Sequence, residues 1–137
     1  MTFATPLLPI DLPRAPAADG AAEVSLGALP DWDLDDLYAG PDAPELAADL
    51  DRVTADCPRF AETYEGRLAL LDGDGLARAI ADYEAIDSIL GRIMSYAGLR
   101  YTQNTQDSAR AKFMGDMQVR ITDLTQPLVF FTLELNR

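Results

Sequence analysis

Apolar side chains recur along this chain at helical intervals. From about Pro44 to Leu71 they fall at Leu46, Leu50, Val53, Cys57, Phe60, Tyr64, Leu68 and Leu71. Steps of three and four put all eight on one face of a helix. Pro44 suits an early-turn position, where its missing N–H does no harm. Pro58 conflicts with the pattern, because it removes the bond to the Thr54 carbonyl, and it predicts a kink or a split into two helices. Asp72-Gly-Asp-Gly75 reads as a turn, with Asp74 as the cap of a second helix. That helix carries Leu76, Ile80, Tyr83, Ile86, Leu90, Ile93, Ala97 and Tyr101, while Ile89, Met94 and Leu99 widen its apolar face. It is expected to reach about residue 102, a rod of roughly 40 Å at 1.5 Å per residue. After the polar turn Thr102–Asp107, capped by Asp107 or Thr105, a third stripe reads Met114, Met117, Ile121, Leu124, Leu128, Phe131 and Leu135. Methionines at this spacing are core material. Pro127 predicts a second kink.

Strand-like alternation is short everywhere. Val129-Phe-Phe-Thr132, the one competing β-branched stretch, reads as helix. Short loops between long helices imply antiparallel neighbours. The expected fold is all-α: three long antiparallel helices, up-down-up, kinked near Pro58 and Pro127. No glycine stop follows Leu133–Arg137 and the stripe is still running there, so the helical domain (31–137) is expected to be truncated at its C-terminus.

The segment before this domain has a different character. Residues 1–30 hold five of the nine prolines and many alanines without either periodicity, which predicts an extended or disordered N-terminal arm. In the next stretch, Leu29–Gly40, Asp33 is placed to cap a short helix. Trp32 and Leu37 take the positions of a hydrophobic staple, and Trp32 is expected to be a packing anchor. Gly40 and Pro41 stop this turn.

Composition narrows the chemistry. The net charge is −12, from 23 acidic and 11 basic side chains. This field has the wrong sign for nucleic acid or for an anionic membrane surface. Nine acids from Asp31 to Asp56 face only Arg52 and read first as a solvated acidic face, with a cation site or a basic partner surface as the alternatives. A single cysteine, Cys57, allows no intrachain disulfide; its stripe position marks it as core filler and its solitude suits a reducing cytoplasm. No stretch reaches the roughly 20 apolar residues of a membrane span, and the prolines at 6, 9 and 13 interrupt any signal peptide. Histidine is absent altogether. That removes Ser-His-Asp and Cys-His catalysis and histidine-ligated zinc. An all-carboxylate metal site stays formally open, although the spacing of a calcium loop is missing. The expected catalytic, cofactor-binding and metal residues of this chain are therefore none.

Several short strings occur in a set order. Trp32-Asp-Leu-x-Asp-Leu-Tyr38 is followed by Phe60-x-x-x-Tyr-x-Gly-x-Leu68. Then come Asp82-Tyr-Glu-Ala-Ile-x-x-x-Leu-Gly-Arg-Ile-x-Ser-Tyr-Ala97, Leu99-x-Tyr-x-Gln-Asn-Thr-Gln-Asp107 and Phe130-Phe-x-Leu-Glu-Leu-Asn136. From about Leu29 to Arg137 this succession resembles the N-terminal region of the oligoendopeptidase F family, zinc metallopeptidases of the thimet-oligopeptidase group. The resemblance implies a soluble, mostly helical enzyme that cleaves short peptides in a deep channel, and the absence of a signal-peptide pattern makes a cytoplasmic location the expectation. Its zinc is held by the two histidines of a His-Glu-x-x-His helix and a downstream glutamate. None of those ligands has a counterpart here, and Glu134 lacks the flanking ligands to substitute.

The resemblance therefore implies a parent zinc metalloendopeptidase in which this chain supplies helical channel wall or lid. Alone the chain is expected to be inactive. Its implied partners are the catalytic domain of the same polypeptide and, for the parent, short peptide substrates, and the isolated fragment is expected to be prone to self-association. The alternative is an autonomous helical interaction module that binds a partner helix in an apolar groove.

Overall fold

The computed structural model describes residues 31–136, and the expected arm lies outside them. Four α-helices are present: α1 (Pro44–Tyr64), α2 (Gly73–Gln103), α3 (Ser108–Thr125) and α4 (Val129–Leu135), with single 3-10 turns at Leu68–Leu70 and Gln126–Leu128. The all-α class is as expected, and no strand occurs among the described residues. No described helix is long and apolar enough to cross a membrane.

The pairing of side chains fixes the direction of the rods. Arg92 of α2 reaches Asp49 of α1, and Asp82 reaches Tyr64, so the two helices run antiparallel. Tyr96 meets Phe113 of α3 while Ile89 and Ile121 pack against the same core, so α3 turns back again.

The two proline expectations came out differently. Around Pro58, α1 is unbroken. Pro58 itself is exposed while Val53, Cys57 and Phe60 beside it are buried, and that packing outweighs the loss of one backbone bond. The expected first helix ends instead at Tyr64, seven residues before Leu71. There Gly66 takes φ 72°, a left-handed conformation that disfavours any side chain. At Pro127 the third rod passes through a 3-10 turn into α4, so its α-helical pattern is interrupted where the irregularity was expected.

The caps also sharpen the reading. Asp72, not Asp74, caps α2 by accepting from the Gly75 N–H at 2.7 Å. Gly75 leaves room for this, since a Cβ there would sit 3.0 Å from the Asp72 carboxylate. Asp107 caps α3 by accepting from the N–H groups of Ala109 and Arg110, which holds its pKa below the ordinary carboxylate value.

Two hydrophobic clusters fill the bundle. One gathers Val53, Cys57, Phe60, Leu68, Ala79, Ile86, Leu90, Leu128, Phe130 and Phe131. The other gathers Tyr38, Ala43, Leu46, Leu50, Ile93 and Tyr96. The α2 stripe is shifted from expectation: Ala79 is fully buried, whereas Ile80 is 38% exposed. Helix α3 contributes no fully buried residue, and Leu135 at the end of its expected stripe is exposed.

Candidate functional site

Three places among the described residues bring polar or exposed apolar side chains together. The first begins at the loop before α1. Asp33 accepts from the Asp35 N–H at 3.0 Å, and the Leu34 carbonyl accepts from Leu37 and Tyr38, so the expected short helix is a single turn. The turn delivers Tyr38 into the bundle, where it is 2% exposed and edge-on to Tyr96 with ring centroids 5.3 Å apart. Its hydroxyl donates to Asp49 at 2.7 Å. The Arg92 guanidinium lies 4.4 Å from the ring centroid and donates to Asp49 at 3.3 Å and to the Leu37 carbonyl at 2.5 Å. Burial, then the Asp49 carboxylate, pushes the phenol well above the ordinary tyrosine value. A phenol held protonated in this way is a structural tie, not an acid or base at neutral pH. Trp32, the expected anchor, is 60% exposed, and only its carbonyl is engaged, by the Gln103 amide. Tyr38 takes the anchoring role because the turn aims it inward.

The second place is an open cleft of about 350 Å³ between α1 and α2. Both of its arginines, Arg52 and Arg59, pair with Asp56. Across the cleft the Tyr64 hydroxyl donates to Asp82 at 2.6 Å, which raises the tyrosine's pKa. Cations and anions here already compensate each other. Of the nine acids from Asp31 to Asp56, Asp49 and Asp56 thus have cationic partners, and the other seven are exposed.

The third place is apolar. Tyr83, Asp87 and Leu90 of α2 face Leu128, Val129 and Leu133 across a groove of about 380 Å³. The sequence reading allowed for an apolar groove that takes a partner helix but did not name these residues as its walls. Its signal was present, because Val129 and Leu133 stand four apart and off the Leu128, Phe131, Leu135 stripe.

Cys57 is fully buried, and burial raises its thiol pKa, as core filler requires. Glu134 accepts from the Gly66 N–H at 2.7 Å and so ties α4 to the turn after α1. No three His, Cys, Asp or Glu side chains converge among the described residues. The zinc implied by the resemblance therefore finds no fitting ligand set among the described residues. No family model, curated protein or solved structure matches the chain.

Proposed function

We propose that this chain is the N-terminal helical portion of a zinc metalloendopeptidase of the oligoendopeptidase F type, forming wall or lid over a peptide channel. One observation carries the reading. The strings that make up the resemblance lie far apart in sequence, yet their members are partners in the fold. Tyr38 of the first string meets Arg92 and Tyr96 of the third. Phe60 and Gly66 of the second meet Phe130, Phe131 and Glu134 of the last. Tyr64 meets Asp82. Each pair makes or braces a contact between elements, so what the chain shares with that family is scaffold. A rigid helical layer is a physical route to size selection, because it narrows a channel without touching the chemistry. In this reading the zinc ligands and general base belong to the remainder of the polypeptide, and a cytoplasmic setting goes with it.

The test is to express the complete reading frame that contains these residues and assay it with quenched fluorescent peptides. Cleavage of short peptides, lost on chelation and restored by zinc, is expected, with none from the 137-residue chain alone. A complete frame without a His-Glu-x-x-His helix, or with no chelator-sensitive cleavage, would sink the proposal.

A further inference from the structure

We propose that the groove between α2 and α4 docks an amphipathic partner helix that carries lysine or arginine beside its apolar stripe. Tyr83, Asp87 and Leu90 stand at i, i+4 and i+7, so they line one face of α2 over about 10 Å. Val129 and Leu133 form the opposite wall and are 59% and 61% exposed, while Leu128 lies buried at the floor. The α2 wall spans about two turns of a helix and the α4 wall, from Val129 to Leu133, about one, which suits a short helical segment with anchors three, four and seven residues apart.

Charge selects the occupant. Asp87 sits midway along the apolar wall, and among the described residues it makes no ion pair and no side-chain hydrogen bond. A purely apolar partner would strip water from that carboxylate and leave it unpaired, which is costly. A lysine or arginine at the edge of the partner's stripe would restore a counter-charge. A second copy of this chain is opposed by the net charge of −12 on each molecule. Two helical turns cover less than the roughly 800 Å² per partner of a standard stable interface, so the complex is expected to be weak and reversible. The inference does not depend on the peptidase reading, since it rests on groove shape and on Asp87.

The experiment uses the whole 137-residue chain and a fluorescein-labelled synthetic helix bearing leucines at i, i+4 and i+7, flanked by two lysines. Anisotropy should show saturable binding, while a scrambled peptide of the same composition and a glutamate-for-lysine version bind at least about tenfold more weakly. Leu133→Ser should weaken binding about tenfold. Asp87→Asn should weaken it several-fold and flatten its salt dependence. Both side chains are exposed, and circular dichroism checks that the variants keep their helix content. Equal binding of the scrambled or glutamate peptide, or unchanged affinity in both variants, would overturn the proposal. So would a dimer of the chain in sedimentation that Leu133→Ser dissolves.

Discussion

At the Phe60 end of the bundle, ring packs on ring. The Phe60 centroid lies 5.2 Å from Phe131, 5.8 Å from Phe130 and 5.9 Å from Tyr83, and Tyr83 stacks on Phe131 at 4.6 Å. At the Tyr38 end, a ring is held by charges: Asp49 accepts a hydrogen bond from its hydroxyl and Arg92 covers its face. The two clusters share Ile89 and Ile121 as neighbours, so they belong to one bundle. Their chemistry differs because their chain sources differ. The aromatic end is built by helices and one tight turn, whose backbones bond largely among themselves, with Glu134 accepting from the Gly66 N–H of the turn. The other end must fasten a loop, and a loop brings unpaired carbonyls such as that of Leu37, which Arg92 satisfies. Dispersion and apolar burial dominate one end, and partly solvated charge pairing contributes at the other.

The largest effect is predicted at the aromatic end. Phe60→Ala empties the centre of the ring cluster and should lower unfolding free energy by about 3–5 kcal/mol, measured by urea denaturation. That loss should be nearly independent of salt. Arg92→Met keeps much of the apolar stem but removes the cation and its two acceptors' partner. It should cost about 1–2 kcal/mol at low salt, with the deficit relative to wild type shrinking toward 1 M NaCl. Equal salt sensitivity of the two variants would erase the distinction between the clusters. A smaller effect, about 1 kcal/mol, is predicted for Asp72→Ala, which uncaps α2 beside the aromatic end, read as a lower thermal midpoint.

How much of this was visible in the sequence follows from the range of each interaction. Helix identity was legible because periodicity is local, and the stripe residues Leu50, Val53, Cys57, Phe60, Ile86, Leu90 and Ile93 are all buried. Of the two outcomes open at Pro58 the split does not occur, because the cost of one lost helical bond is local while the packing that outweighs it comes from other elements. The end of α1 was placed too late because Leu68 and Leu71 keep the stripe's phase after Gly66 has turned the chain. Trp32 was mistaken for the anchor in place of Tyr38 because one residue of turn geometry decides which ring faces inward. The polar ties Tyr38–Asp49–Arg92 and Gly66–Glu134 were not legible, since each joins residues whose sequence separation carries no pattern. The residues of the groove were not named for a related reason: Val129 and Leu133 lie off the stripe of the third rod and become a wall only beside Tyr83 and Leu90 of α2.

The smallest predicted effect gives the finest test of the contrast. Tyr38→Phe removes one hydrogen bond but leaves Asp49 paired with Arg92, so the loss at neutral pH should be only about 0.5 kcal/mol. The informative readout is alkaline. Tyr38 has its pKa raised in the folded protein, chiefly by burial and then by Asp49. Its contribution is therefore complete below the unfolded tyrosine value of about 10 and is lost as pH climbs from there toward the folded value. In that window the unfolded chain releases the proton while the native state keeps it, so wild-type stability should fall with rising pH. Tyr64 and Tyr96 are shifted in the same direction and will continue to contribute in the variant. Tyr38→Phe should thus show a shallower alkaline decline, not a flat one, in urea midpoints measured from pH 9 to 11 (a range set by the ordinary tyrosine value of about 10). Phe60→Ala, being uncharged chemistry, should shift the whole curve down without changing that slope. Parallel alkaline limbs for Tyr38→Phe and wild type would mean that the tie to Asp49 adds no proton-linked stability, and the two ends would then differ in composition only.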